Sequence, residues 1–449
     1  MIGASLSRWS MAYFAAALIA LFAAEIMMTA GFGFPGATVA APETLILVHV
    51  VAIGWLSLLM CGALLQFVPV LVVQPLYSDT LALPALVLLV SGLAALVLGF
   101  LQLGGYIGTS FPFLAAASVL LGCGFALIIW NLGRTLAAAP KLPLPAQFVT
   151  VGLVCVAATV TLGIIFALVL GGTVNATSLL VLTGIGRPIH ATAGLGGWLT
   201  FTAMGVSYRL LAMFMLAPDL ERPTTRAALL IGTIALAVAI AGGVIAALTH
   251  GNPAIALLAA FIGGVLALAL YGADVRHLYR ARKRKNIELN SRMTAFAFAS
   301  LAASVVLIAV LLGLGQLEEH IGAVVFLVAF GWLSGLGLAQ LYKIVAFLTW
   351  LECYGPILGK APTPRVQDLV VEPRAVKWFR LYLLAVWAGE IVLLAGLPLL
   401  FRVATAAMFV ATIGIAGEIL RTRRLHNVAA ASRLPAGAQL PRLLISSHA

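Results

Sequence analysis

Apolar residues run through this chain in long blocks, separated by short segments that carry nearly all of its charge. The blocks fall at roughly 9–30, 44–71, 82–104, 111–134, 147–171, 187–217, 227–249, 253–273, 293–315, 320–351, 377–400 and 403–420. Each is long enough to cross a hydrocarbon core of about 30 Å as a helix. The pattern predicts an all-α polytopic membrane protein with twelve transmembrane helices over residues 1–420, followed by a polar, basic tail over 421–449.

Within these blocks one phrase occurs three times: Gly54-Trp55-Leu56-Ser57, Gly197-Trp198-Leu199-Thr200 and Gly331-Trp332-Leu333-Ser334. Every copy continues to a polar residue eleven positions after its Trp, namely Gln66, Arg209 and Lys343, with Tyr208 and Tyr342 just before the last two. The Trp residues are 143 and 134 positions apart, too far for a solenoid unit and suited to a block of four membrane helices with loops. The chain is therefore expected to form three pseudo-symmetric four-helix arcs.

Composition supports the same class. The chain is 63% hydrophobic and 9% charged, with a mean hydropathy of +1.13. Soluble chains carry roughly 25% charged residues. A net charge of +12 could mean nucleic acid, but with a cytoplasmic N-terminus all but Arg187 and Arg402 of the 26 Lys and Arg fall on inner loops or inner helix ends. That distribution obeys the positive-inside rule. It leaves no nucleic-acid partner and puts both termini in the cytoplasm, with the lipid bilayer as the partner. The densest run, Arg276 to Lys285, reads as a topological and anionic-lipid anchor. The first block spans and lacks a clear small-residue cleavage site, so no cleaved signal is expected. Cys61, Cys123, Cys155 and Cys353 lack CxxC spacing and read as small buried apolar side chains rather than disulfide or zinc ligands.

Seven histidines are present. His277, His426 and His448 fall in cytoplasmic segments, whereas His49, His190, His250 and His320 lie toward the outer side. His49 and His190 are inside spans, the second and the sixth, where ionisable side chains are rare and costly.

The phrases His49-…-Gly54-Trp55-Leu56 and His190-…-Gly197-Trp198-Leu199-…-Gly205-…-Tyr208-Arg209-Leu210 resemble the histidine-bearing helices of the heme-copper oxidase catalytic subunit, particularly its cytochrome-cbb-type branch. The resemblance implies twelve helices in three arcs, a bacterial inner-membrane location, and histidines near the outer side of the second, sixth, seventh and tenth helices. This sequence departs from the pattern at three points. The family's tenth helix carries an H-x-H pair, whereas positions eight and six before Trp332 are Val324 and Phe326. The seventh block has no histidine where the family places a copper pair. The family's crosslinked Tyr has no counterpart. The resemblance thus implies a divergent member without a binuclear centre and without oxygen reduction by the family mechanism.

His49 stands six residues before its Trp and His190 eight before its own, so together they reproduce the two offsets of the family's H-x-H. Two residues on an α-helix are about 200° apart. Carried over from the family, those directions turn His49 toward the second repeat and His190 toward the first, as axial ligands of one iron. The expectation is a single bis-histidine heme b, six-coordinate and suited to electron transfer or heme-linked sensing, with a redox partner on the outer side. Arg187, one turn from His190, is placed to meet a propionate. The competing readings are helix-helix hydrogen bonding by neutral imidazoles and a snorkelling interfacial arginine.

His320 adjoins Glu318 and Glu319 in an outer loop and, like His250, reads as solvated; a loop metal site formed by the two is the competing reading. Glu25 and Glu390 are intramembrane acids, read either as marks of a proton or ion path or as protonated helix-helix contacts. Gln66, Arg209 and Lys343 read as helix-end anchors. Two rival classes stand beside the heme protein: a transporter or metal-handling protein using the same bundle, and a cofactor-free assembly scaffold.

Overall fold

The structure, a computed structural model, describes residues 7–435 and 438–446, without the side chain of Ala431. His448 lies outside the described residues. Among the described residues twelve long helices follow one another: α1 (Ser10–Ala30), α2 (Pro42–Val72), α3 (Ala82–Leu103), α4 (Phe113–Ala137), α5 (Leu144–Leu170), α6 (187–215), α7 (Pro223–Leu248), α8 (Pro253–Ala281), α9 (Leu289–Leu314), α10 (Leu317–Ile357), α11 (Glu372–Leu394) and α12 (Pro398–Arg423). Ten of them are long and apolar enough to cross a membrane. The other two, α6 and α11, carry more polar and charged side chains: Arg187, His190 and a run of Thr and Gly in α6, and Arg374, Lys377, Arg380 and Glu390 in α11. Among the described residues there is no strand.

Large apolar side chains such as Ile19, Val87, Val119, Leu230, Ile234, Ile255 and Ile262 are exposed. In water such surfaces would aggregate; in a bilayer they are the lipid face.

The chain divides into two compact units, Met1–Gln66 with Ile287–Ala449, and Phe67–Asn286. In the first, α10 is the central element, and Trp332, Leu338, Ala339 and Ala346 along it are fully buried. α1 lies against α2, and their backbones approach closely because residue 62 is glycine: a Cβ there would stand 2.7 Å from Tyr13 Cβ. Small residues at such contacts are how membrane helices gain packing energy where no hydrophobic force acts between them.

One end of this unit is tied by charge. Arg374 forks onto Glu418 at 2.6 and 2.7 Å, and Arg423 pairs with Glu352 at 2.6 Å, both side chains almost fully buried. The segment after α12 folds back here. Leu425 and Val428 join Cys353, Tyr354, Ile357 and Leu369 in a small core, while Tyr354 donates to the Arg433 carbonyl (2.6 Å) and Arg423 to that of Arg442 (2.8 Å).

In the second unit α3 and α4 interlock through Gly92, Gly99 and Gly124, each with a leucine of the other helix within 3.0 Å of where its Cβ would be. The buried carboxylate of Asp274, on α8, accepts from Tyr208 on α6 (3.2 Å), from Thr225 on α7 (2.7 Å) and from Arg222 (3.3 Å), locking three helix ends together. The basic segment after α8 docks there too, the amides of Lys283 and Arg284 donating to the Leu216 and Met215 carbonyls.

Candidate functional site

Each copy of the repeated phrase sits on a stretch of π-helix. The wide turns are Val50–Ser57 in α2, Thr192–Phe201 in α6 and Leu327–Ser334 in α10. The first and third start five residues before the Trp and end two after it; the second is one residue longer at each side. Such i→i+5 turns are rare, arise mostly as single insertions in α-helices, and cluster at functional sites. A fourth, Val238–Gly242 in α7, has no counterpart in the repeat.

The motif residues explain why the wide turns are tolerated. Glycine before the Trp lets the turn lie on the preceding helix: a Cβ on Gly197 would meet Cys155 Sγ of α5 at 2.5 Å, and one on Gly331 would meet Ser300 Cβ of α9 at 2.9 Å. Seven residues after the Trp, Gly62 and Gly205 repeat the device against Tyr13 and Phe148. The three indoles are buried to 2% or less. In the first unit Trp55 Nε1 donates to Ser334 Oγ (2.7 Å), and Ser334 donates in turn to the Ala329 carbonyl (2.7 Å) inside the third wide turn. The Ser334 hydroxyl, two residues after Trp332, thus satisfies backbone that a π turn leaves short of partners.

His49 closes the α-helical turn that leads into the first wide turn. Its Nδ1 lies 2.7 Å from the Leu45 carbonyl. A carbonyl can only accept, so Nδ1 carries the proton and Nε2 carries the lone pair. This is the tautomer that a metal-ligating imidazole adopts when a backbone carbonyl orients it. The ring is half-buried.

His190 lies in the first turns of α6, two residues before the second wide turn. Its ring packs against Phe166 of α5, centroids 5.6 Å apart. A Cβ on Gly163 would come within 3.3 Å of its Cε1, so glycine at 163 is what lets the imidazole approach α5. Arg187, at the start of the same helix, is exposed. Both histidines precede their wide turns, so the 100° per residue of the α-helix cannot be carried from either imidazole to its Trp. The separation of about 200° expected of an ideal α-helix therefore does not carry over from the repeat, and both copies share this change of phase.

In the third copy the corresponding positions hold packing residues. Phe326 is buried between Phe330 and Phe401, with centroids 5.1 and 5.2 Å away, and Val324 is also buried. His320 is half-buried in the first turn of α10 after the exposed Glu318 and Glu319. His250 is exposed just past α7 with φ +58°. Three of the cysteines are buried; Cys123 is exposed on the apolar α4, where the sequence reading had it buried, because its helix turns that position outward. Among the described residues no group of three or more His, Cys, Asp or Glu gathers as a metal cage. A heme iron requires only two axial ligands from the protein.

The equivalents at eleven residues past the Trp act as anchors, as expected. Gln66 accepts from the Ser7 amide (3.0 Å), Arg209 Nη1 donates to both carboxylate oxygens of Asp219 (2.6 and 2.7 Å), and Lys343 pairs with Glu288 (2.8 Å). Each ties a helix to a neighbouring segment of the chain. Two features escaped the sequence reading. The wide turns have no residue signature of their own, and only the threefold phrase marks them. Asp274 was discernible as an acid at the end of an apolar run, two residues before the basic segment.

No family model matches this chain, and no curated protein matches it. A solved structure does: a chain of a heme-copper terminal oxidase dimer determined by cryo-EM, over 97% of this chain and 84% of that one, with a TM-score of 0.56 and 14% identity. The likeness is one of fold.

Proposed function

We propose that this chain is a divergent, membrane-integral member of the heme-copper oxidase superfamily that binds one heme b through His49 and His190 and serves in electron transfer or heme-linked sensing. It would have twelve transmembrane helices, α6 and α11 among them, in a bacterial inner membrane with both ends cytoplasmic. The carrying observation is that His49 donates Nδ1–H to the Leu45 carbonyl, which presents Nε2 as the ligating nitrogen. The repeat offsets of His49 and His190 and the oxidase-like fold support the pairing. The heme would supply reversible one-electron chemistry when bound. This chain's residues would supply two axial imidazoles, a glycine that admits one of them, and Arg187 as a propionate partner. Val324 and Phe326 replace the tenth-helix ligands, so the reading includes neither a second heme nor a copper centre.

Pyridine hemochrome quantitation of protein purified from cells fed a heme precursor tests the proposal. The expected result is about one heme b per chain, with a low-spin, six-coordinate spectrum. Heme content near zero would leave the fold and remove the function; a high-spin ferric spectrum would remove the bis-histidine assignment.

A further inference from the structure

In the second unit one arginine is stacked but not paired. Arg134, in the last turn of α4, is exposed. Its guanidinium carbon lies 5.3 Å from the ring centroid of Tyr77 and 5.5 Å from that of Trp130. Among the described residues its side chain forms no hydrogen bond and no ion pair. A guanidinium stacks by its flat faces, and its five N–H donors, which lie in its plane, are left without a protein acceptor.

Buried polar groups hold this arrangement. Trp130 is one turn before Arg134 on the same helix, but Tyr77 comes from the segment joining α2 to α3. Thr135 Oγ1 accepts from the Tyr77 amide (3.0 Å), Asn131 Oδ1 accepts from the Ser78 amide (3.0 Å), and Asn131 Nδ2 donates to the Ser78 carbonyl (2.7 Å). Both gripping side chains are 1% exposed. They fix the backbone that carries Tyr77 against the end of α4. A cation in the last turn of a helix is ordinary, because it meets the negative end of the helix dipole. That role needs neither a second ring nor a stapled loop.

Apolar surface leads to the same place. Val119, Cys123, Trp130 and Arg134 are all exposed and follow one another at intervals of four and seven residues, on one face of α4. Leu83 and Val87 are exposed on α3, which packs against α4. The exposed rings of Tyr77 and Trp130 stand where this apolar face gives way to charge.

We propose that Arg134, Tyr77 and Trp130 bind the phosphodiester of an anionic phospholipid whose acyl chains lie along the exposed faces of α3 and α4. The guanidinium donates in its own plane to two phosphate oxygens, and the rings, apolar in body and polar at one edge, sit at headgroup depth. A soluble phosphate would leave the apolar face uncovered. A choline headgroup would bring its ammonium toward the arginine, and the guanidinium already occupies a face of each ring that could otherwise offset that repulsion. In the topology proposed above this end of α4 is cytoplasmic, the side where anionic headgroups attract cations.

Native mass spectrometry of the purified full-length protein, stripped of lipid and titrated with phosphatidylglycerol or with phosphatidylcholine of the same chains, tests the site. The expected result is a phosphatidylglycerol adduct that forms at lower lipid concentration than any phosphatidylcholine adduct. Arg134→Gln should weaken it about tenfold or more, the scale of a lost hydrogen bond to a charged group. Arg134→Lys keeps the charge without the planar fork and should fall between, which covers the case in which the Gln variant fails to fold. Trp130→Ala should weaken the adduct with Arg134 intact. Lys141→Gln, which removes an exposed cation from the segment joining α4 to α5, should leave it unchanged. An adduct insensitive to Arg134→Gln, or formed equally by both lipids, would overturn the site. Equal loss in Lys141→Gln would reduce it to diffuse loop charge, and displacement by glycerol phosphate would give it to a soluble anion; either result overturns the proposal. Heme does not enter the measurement, so its failure leaves the heme proposal standing.

Discussion

At the scale of single residues, the imidazole of His49 is oriented by its own helix: a carbonyl four residues back fixes the tautomer, and the side chain needs no neighbour to be ready for a metal. His49→Ala and His190→Ala are each expected to abolish the low-spin heme spectrum or convert it to high-spin, read by absorbance and electron paramagnetic resonance. His320→Ala should leave it intact, because that residue belongs to the first turn of α10 beside two exposed acids. Arg187→Ala should retain the bands but lower the reduction potential, since a cation near the propionates disfavours the ferric state. The shift expected for an exposed pair of about 0.2–1 kcal/mol is roughly 10–40 mV. One acid outside the helices carries a pH dependence. The Arg365 side chain, and then its backbone amide at 2.8 Å, hold Asp368 below the usual carboxylate range. The contribution of that contact is therefore present above the ordinary carboxyl pKa and lost as pH falls through the lowered one. Hydrogen-exchange protection factors, corrected for the intrinsic pH dependence of amide exchange, should fall in the segment joining α10 to α11 below about pH 4 and hold between about pH 5 and 8.

At the scale of helices, glycine decides how closely the GW turns lie on their neighbours. Gly197→Ala pushes a methyl to 2.5 Å from Cys155 Sγ and should cost about 1–3 kcal/mol, the usual penalty of overpacking, measured as a lower unfolding midpoint in detergent. Gly163→Val should instead act on His190, which packs within 3.3 Å of that position, and reduce heme content more than stability. The apolar blocks made the helices legible, and most ends agree within a few residues, since α5, α6, α7 and α12 begin at or next to a proline. The π turns were not legible, because an i→i+5 turn has no composition of its own. α6 and α11 are legible in the sequence only where polar residues are allowed in a span; a joint test of apolarity and charge passes them over.

For the molecule as a whole, the proposed function, with Val324 and Phe326 at the two positions on α10, predicts no oxygen uptake with an artificial donor and no bound copper, checked by oxygen electrode and elemental analysis. Rapid cyanide-sensitive uptake would mean that the helices had been matched wrongly to the oxidase pattern. The threefold phrase was legible in the sequence because glycine, indole and hydroxyl recur in it at the same offsets in every copy. The Asp274 node and the folded segment after α12 stayed hidden because their partners are distant along the chain and bear no periodic mark. The wide turns have a genealogical consequence. Two of them begin and end at the same offsets from their tryptophans, and an inserted residue that survives at one address in separate copies is most economically inherited by both. The bulge would then belong to the ancestral segment before it was multiplied, and the histidines, which differ between copies in position and presence, would be later tenants of a frame already bent to receive them.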